Sequence, residues 1–215
     1  MKRLAFVFPG QGSQYPGMGR DLYEQFPSAR AIFDTADRVL GYPLSQLCFQ
    51  GPAEELRMTY HTQPAILTVS VALNALLQEA GIQPSVVAGH SLGEYSAHVA
   101  AGSLSFEDAV RLVRRRGELM HSALPAGEGT MGAVLGLERG QVEALCRQVM
   151  DEQPGWVVEP ATYNCPGQVV VAGHTPAVQR VLELAEAAGS RRTPLLEGSG
   201  PFHSSLLKPA GDALA

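Results

Sequence analysis

Short apolar runs alternate with segments of helical periodicity in the first half of the chain, and this alternation constrains the fold most strongly. The run at residues 4–8 is closed by Pro9 and Gly10, and the apolar part of the run at residues 85–90 stops at Gly89, so both are predicted to be buried strands. Apolar residues recur every three or four positions elsewhere, which predicts helices over residues 20–40, 64–81, 92–101 and 105–124. Strands that alternate with helices indicate an α/β fold with a mainly parallel sheet.

The pattern changes after residue 128. The spacing there predicts strands over residues 130–137, 155–164, 167–173 and 190–198, with helices over 138–150 and 175–189. This β-α-β-β-α-β order is ferredoxin-like. We therefore expect a small ferredoxin-like domain at residues 129–198, inserted into a larger catalytic domain made of residues 1–128 and 199–215. The chain stops soon after it re-enters the larger domain, so that domain is expected to lack its C-terminal part.

Composition excludes several classes of protein. The 215 residues are 45% hydrophobic and carry a net charge of −5, which argues against nucleic acid and anionic membranes as partners. No apolar stretch approaches the roughly 18 residues of a membrane span, and the N-terminal run is too short for a signal peptide. We expect a soluble, cytoplasmic protein. The three cysteines, Cys48, Cys146 and Cys165, are far apart and predict neither a disulfide framework nor a metal site, and no cofactor is expected.

The stretch Gly89-His90-Ser91-Leu92-Gly93 fits G-x-S-x-G where a predicted strand turns into a helix. In that context the pattern is typical of a nucleophile elbow, as in α/β-hydrolase folds, so we expect the larger domain to be α/β-hydrolase-like. The sharp turn would expose the hydroxyl of Ser91 above the sheet. The alternative interpretation is a tight turn with a capping serine.

A serine nucleophile needs a base. His203 is the strongest candidate because it lies on a Gly/Pro-rich segment, and the order of serine before histidine matches α/β hydrolases. The other five histidines are interpreted as structural: His61, His90, His98, His121 and His174. No acidic third member stands out, and a backbone carbonyl could orient the ring instead.

Two backbone N–H groups are predicted to stabilise an oxyanion. The Leu92 N–H lies at the start of the helix that follows the serine. The glycine-rich loop after the first strand offers the Gln11 N–H, because Gly10 and Gly12 let amides point inward. A phosphate-binding loop is the rival interpretation, but the loop lacks both G-x-G-x-x-G and G-K-[ST].

One arginine falls on the apolar face of a predicted helix. In the helix over residues 105–124, Arg116 lies three positions after Val113 and four before Met120, whereas Arg111, Arg114 and Arg115 point more nearly outward. A buried guanidinium needs an anionic partner. That partner is either a carboxylate of the fold or a carboxylate of the substrate.

Several stretches together resemble malonyl-CoA:acyl carrier protein transacylases of fatty-acid synthesis and the related acyltransferase domains of polyketide synthases. They run in the family's order along nearly the whole chain: FVFPGQGSQ, GPAEEL, TQPAILTVSVAL, GHSLGEYSA, AVRLVRRRG, NCPGQVVVAG and GPFHSSLLKPA. Family members continue well past residue 215, so the resemblance implies a C-terminally truncated member.

The resemblance implies a ping-pong transfer of a malonyl group from coenzyme A to the pantetheine thiol of acyl carrier protein. Ser91 would carry the acyl group, His203 would take its proton, and Arg116 would hold the malonyl carboxylate. Gln63 would lie near the site, and the bulk of Phe202 before the histidine would go with malonyl rather than methylmalonyl. The alternatives are a serine thioesterase or esterase and an inactive fragment. A monomer is the default expectation.

Overall fold

The computed structural model describes residues 3–196 and 200–215. The chain divides into two compact units, Met1–Glu118 and Leu119–Ala215. No helix in the described ranges has the length and apolar character that a membrane crossing requires.

The first unit is built on a two-stranded parallel sheet. Its strands are β1 (Ala5–Phe8) and β2 (Val86–Gly89), with Ala5 opposite Val86 and Phe8 opposite Gly89. The helices of this part of the chain are α1 (Arg20–Gln25), α2 (Pro27–Leu40), α3 (Leu44–Gln50), α4 (Ala53–Arg57), α5 (Thr59–Glu79), α6 (Gly93–Ala100) and α7 (Phe106–Ser122). The division between the two units falls within α7.

The core of the first unit lies where helices α2, α3, α5 and α7 pack together. Phe33, Leu44 and Leu67 are completely buried there, as are Val110 and Val113 on α7. The apolar stripe predicted for α7 therefore faces this core. Ser105 caps the same helix, since its Oγ accepts the Asp108 N–H at 3.1 Å.

Two predicted helix bounds are wrong, and proline is involved in both. The predicted helix over residues 20–40 is two helices, because Phe26 is extended (φ −124°) and Pro27 starts α2; a residue before proline is disfavoured in helical conformation. The helix predicted to start at Pro64 begins at Thr59 instead, with Pro64 inside it.

Arg114 compensates for the proline inside α5. Pro64 has no N–H, so it cannot donate to the carbonyl of Tyr60 four residues earlier. Arg114 Nη1 donates to that carbonyl at 3.0 Å, and the guanidinium lies 4.8 Å from the centre of the Tyr60 ring. The prediction that Arg114 points outward is therefore wrong, whereas Arg111 and Arg115 are exposed as predicted.

The second unit contains a three-stranded antiparallel sheet in the order β3-β5-β4. Its strands are β3 (Gly129–Leu135), β4 (Val158–Cys165) and β5 (Gln168–His174), and its long helices are α8 (Arg139–Glu152) and α9 (Thr175–Ala187). Both helices pack on the sheet around buried valines: Val134, Val142, Val149, Val158, Val171, Val178 and Val181. Together the two sheets make an α/β fold with one parallel and one antiparallel sheet.

The last predicted strand, over residues 190–198, is present only as two isolated antiparallel bridges. Arg192 faces Leu135 and Leu195 faces Gly132. Pro194 lies between them and has no N–H for a continuous ladder. Residues 197 and 198 of the predicted strand lie outside the described range.

The described C-terminal segment contacts the sheet of the second unit. It consists of a 3-10 turn (Ser205–Leu207) and α10 (Lys208–Leu214). Phe202 packs in a cluster with Met131 and Ala133 of β3, and the Ser205 N–H donates to Glu159 Oε2 at 2.6 Å. The sequence groups this segment with residues 1–128 instead. The predicted domain boundaries stay a prediction, and the one between residues 198 and 199 falls outside the described range.

Candidate active site

Ser91 lies on the sharp turn between β2, which ends at Gly89, and α6, which begins at Gly93. Its backbone has a φ of +50°, in the left-handed region that residues with a side chain rarely adopt. Such strain persists only where the surrounding structure enforces it, and it concentrates at functional sites. The strand, turn and helix are therefore arranged as the sequence predicts for a nucleophile elbow.

Two glycines make this turn possible because no side chain fits at either position. A Cβ on Gly89 would lie 2.0 Å from the backbone carbon of Gly93, and a Cβ on Gly93 would lie 2.2 Å from the carbonyl oxygen of Phe8. The turn is thus packed directly against the end of β1.

The loop after β1 lies against the same turn. A Cβ on Gly10 would approach the carbonyl oxygen of His90 to 2.6 Å. The side chain of Leu92 is buried in the core, while its backbone N–H lies at the start of α6. Within the described part of the chain, neither the Gln11 N–H nor the Leu92 N–H donates a hydrogen bond. Both are therefore available to an oxyanion, although their role stays a prediction.

Arg116 reaches this turn from α7. Its Nη2 lies 3.4 Å from Ser91 Oγ, its Nη1 donates to Gln63 Oε1 at 2.7 Å, and its guanidinium lies 5.6 Å from the centre of the Tyr95 ring. Burial lowers the pKa of Arg116 below its ordinary value, and Tyr95 and Glu94 oppose that shift. An arginine stays protonated under all ordinary conditions nonetheless.

The guanidinium of Arg116 forms no direct ion pair with any residue that the structure describes, although Glu94 lies near enough to act on its charge. Among residues 3–196 and 200–215, no carboxylate forms an ion pair with its guanidinium, which instead contacts neutral groups. The sequence leaves two anionic partners open for Arg116, a carboxylate of the fold and a carboxylate of the substrate. The first is not found among the described residues.

A residue that the sequence analysis missed connects these groups. Thr59 Oγ1 donates to Gln11 Oε1 at 2.7 Å and accepts a hydrogen bond from Gln63 Nε2 at 3.0 Å. Thr59 and Gln63 are one helical turn apart on α5, and this i, i+4 pairing was the only signal in the sequence. The sequence does not reveal this pairing, because the predicted helix begins at Pro64, after both residues.

His203 lies in the second unit. It is exposed and has a φ of +63°, and Ser91 is the only other non-glycine residue in the described ranges with a positive φ. The preceding Phe202 is buried. The pairing of His203 with Ser91 and the role of Phe202 in selectivity stay predictions.

Several of the remaining histidines have structural partners. His61 Nδ1 lies 3.0 Å from the Glu55 carbonyl oxygen, His98 Nδ1 lies 2.8 Å from Ser103 Oγ, and His174 Nδ1 accepts the Val157 N–H. No cluster of three or more His, Cys, Asp or Glu suited to a metal occurs within the described ranges.

Comparison with known proteins places this geometry in context. A family model described as an acyl transferase domain matches residues 5–215. A malonyl CoA-acyl carrier protein transacylase of Bacillus subtilis is 53% identical over 214 residues, which cover all of this chain and 67% of that protein.

Solved structures give the same result. An acyl carrier protein S-malonyltransferase from Vibrio cholerae superposes with a TM-score of 0.94 at 48% identity, covering 99% of this chain and 69% of the other. A malonyl-transacylase solved in complex with a type II polyketide synthase acyl carrier protein superposes with a TM-score of 0.95, also at 48% identity, covering 99% of this chain and 68% of the other.

Proposed function

The chain belongs to the acyl transferase domain family, and we propose that it transfers a malonyl group from coenzyme A to the pantetheine thiol of acyl carrier protein. The observation that carries this proposal is the Arg116 guanidinium, which lies 3.4 Å from Ser91 Oγ and forms no ion pair with a carboxylate of the described residues. A cation beside a nucleophile suits an acyl group that carries its own carboxylate, because a planar guanidinium binds a carboxylate through two parallel hydrogen bonds.

In the first half-reaction, Ser91 Oγ attacks the thioester carbonyl of malonyl-CoA while His203 takes the hydroxyl proton. The tetrahedral oxyanion would be held by the Gln11 and Leu92 N–H groups. When it collapses, the carbon–sulfur bond breaks, the thiolate of coenzyme A receives the proton from His203, and malonyl remains as an ester on Ser91.

The second half-reaction reverses these roles. His203 takes the proton of the pantetheine thiol, whose sulfur attacks the ester carbonyl. The carbon–oxygen bond to Ser91 then breaks, and His203 returns the proton to Oγ. Throughout, Arg116 would hold the malonyl carboxylate, and Gln63 would hold the guanidinium through its Oε1. Phe202 would limit the space beside the α-carbon of the malonyl group and so disfavour methylmalonyl, which carries a methyl branch there.

The architecture proposed to carry this chemistry is an α/β-hydrolase-like catalytic domain with a ferredoxin-like insertion. In support of the first, Ser91 lies on a strand-to-helix turn with β1 as a parallel neighbour. In support of the second, the bridges at Arg192 and Leu195 lie on the free side of β3, which gives four adjacent segments in the β3-β5-β4 sheet.

A hydrolase with the same nucleophile and water as acceptor is the second candidate. Arg116 argues against a hydrolase of neutral acyl chains, since such a substrate offers nothing for the guanidinium to bind. An acyl-serine that survives in water and is discharged by a thiol would separate the two.

Intact-mass measurement after mixing with malonyl-CoA tests the proposal. We expect an adduct of about 86 Da, the mass of an added malonyl group, which is absent in Ser91→Ala and present in the control Ser103→Ala. The adduct should disappear when acyl carrier protein bearing its pantetheine arm is added, with malonyl recovered on that protein. A folded protein that forms no adduct contradicts the proposal, and an adduct lost equally fast without the carrier favours a hydrolase.

A further inference from the structure

We infer that Thr59 is a positioning residue: its hydroxyl fixes the orientation of the Gln63 amide that holds Arg116, and ties it to the loop of Gln11. The inference rests on the function proposed above. It is carried by four consecutive contacts within the first unit, from Gln11 through Thr59 and Gln63 to Arg116 and Ser91.

The donors and acceptors of these contacts fix the orientation of the Gln63 amide. A guanidinium has only donors, so Gln63 must present its Oε1 to Arg116. The Nε2 of the same amide then faces Thr59 Oγ1, which has to accept. The hydroxyl proton of Thr59 is left to donate to Gln11 Oε1 at 2.7 Å. A flipped amide would place N–H donors against the donors of Arg116.

Burial makes this orientation depend on Thr59. Gln63 is 1% exposed and Thr59 is 4% exposed, so water competes little for either hydrogen bond. Removing the hydroxyl removes an acceptor that holds the Nε2 end of the amide while Oε1 faces Arg116. With one anchor of the amide lost, the Oε1 is held less firmly against Arg116, and the direction of the guanidinium toward Ser91 is less fixed.

The packing of α5 against α7 places the two helices at the distance this network needs. A Cβ on Gly117 would lie 2.5 Å from the Cα of Tyr60 and 2.9 Å from the carbonyl oxygen of Thr59. The backbones therefore touch at the first turn of α5. Arg116 precedes Gly117, so its side chain meets Gln63 one turn further along α5.

One hydroxyl thus serves two parts of the proposed site. Through Gln63 it sets the group that would bind the malonyl carboxylate, and through the Gln11 side chain it ties down the loop whose N–H would bind the oxyanion. Loss of the Thr59 hydroxyl should impair malonyl loading through both parts. It should impair loading of an acyl group without a carboxylate only through the loop. The expected signature is a change in selectivity as well as a change in rate.

The test compares Thr59→Val, which has the same shape without the hydroxyl, with Thr59→Ser, which keeps it. Thr68→Val is the matched control, because Thr68 is also buried on α5 and its hydroxyl donates to the Pro64 carbonyl of the same helix. Rates of Ser91 acylation are measured with malonyl-CoA and acetyl-CoA. We expect Thr59→Val to lower the malonyl-to-acetyl ratio about tenfold through a higher KM for malonyl-CoA, consistent with one lost hydrogen bond to a charged group. Thr59→Ser and Thr68→Val should keep the ratio.

Two further readouts keep the inference falsifiable. In an Arg116→Ala background, Thr59→Val should leave the ratio unchanged, since the clamp it positions is gone. In ¹⁵N NMR, the Arg116 Nε–Hε signal, assigned by its loss in Arg116→Ala, should shift or broaden in Thr59→Val but not in Thr68→Val.

The outcomes separate this inference from the proposed function. A wild-type protein that forms no malonyl adduct defeats the proposed function, and the NMR comparison still decides the role of Thr59. If the wild type loads malonyl and Thr59→Val keeps both its selectivity and its Arg116 signal, Thr59 is not a positioning residue.

Discussion

The Nη2 of Arg116 lies 3.4 Å from the Oγ of Ser91, although 24 residues separate them along the chain. The contact joins α7 to the turn that follows β2, and both are anchored in one apolar core. The hydroxyl proposed as nucleophile and the guanidinium proposed to bind the malonyl carboxylate are thereby held side by side. The proposed selectivity for a malonyl group rests on that spacing.

Replacement of Arg116 by alanine should therefore discriminate between acyl groups. We expect the rate of malonyl loading to fall about a hundredfold or more, because a buried carboxylate would lose its charged partner, whereas acetyl loading should change little. Arg115→Ala is the matched control, since the neighbouring side chain is 60% exposed. Equal losses for malonyl and acetyl would contradict the assignment of Arg116 as a carboxylate clamp.

Arg114 and Pro64 should be coupled in a thermodynamic cycle. Arg114→Ala removes the donor to the Tyr60 carbonyl and should lower the free energy of unfolding by about 2 kcal/mol. Pro64→Ala supplies an N–H for the Tyr60 carbonyl. In this background, Arg114→Ala should therefore lower the free energy of unfolding by about 1 kcal/mol less than it does in the wild type. Urea unfolding of the four proteins measures the coupling. Strictly additive effects would show that Arg114 does not compensate for the proline.

Alanine should be tolerated at one glycine and not at another. In Gly93→Ala the new Cβ meets the Phe8 carbonyl oxygen at 2.2 Å, and we expect a loss of about 3 kcal/mol or more in unfolding free energy. Gly140 on α8 has open space around it, so Gly140→Ala should be neutral or stabilising by about 0.5 kcal/mol. Thermal unfolding of both variants checks this, and a stable Gly93→Ala with a normal turn would be inconsistent with the packing described.

The three cysteines should differ in reactivity. Burial raises the pKa of the Cys48 and Cys146 thiols to about 12, and the thiolate is the reactive form. Cys165 is exposed. At about pH 8 a maleimide should label the folded protein once, at Cys165, and label all three cysteines after unfolding. Peptide mapping locates the label, with Cys165→Ser as control. Rapid labelling of Cys48 in the folded protein would refute the prediction.

His61 should weaken the protein in acid. Burial lowers the pKa of its imidazole, an effect that nearby Arg114 reinforces and the Glu55 carbonyl opposes. Below about pH 6.5 the unfolded chain therefore binds this proton more readily than the folded protein, so stability falls as the pH drops. His61→Asn, which keeps a donor for the Glu55 carbonyl, should lose less stability than the wild type between about pH 7.5 and 5.5. His98→Asn is the control, and identical losses in the His61 variant and the wild type would exclude the effect.

The sequence by itself determined the local features of the site. A serine between glycines at the end of an apolar run predicts a strand, a sharp turn and a helix, because only glycine leaves room for the close backbone contacts around Ser91. The inward direction of Arg116 follows from helical periodicity alone. The Ser105 cap is also a short-range effect, set by residues three apart.

The tertiary structure decided which distant groups meet. Thr59 and Gln11 are 48 residues apart. Arg114 lies inward because it donates to the Tyr60 carbonyl of α5, to which Pro64 has no N–H to donate. No hydrophobic periodicity and no motif in the sequence predicts either contact. Both arise because a buried polar group must find a partner wherever packing brings one, and that choice is made only when the helices assemble.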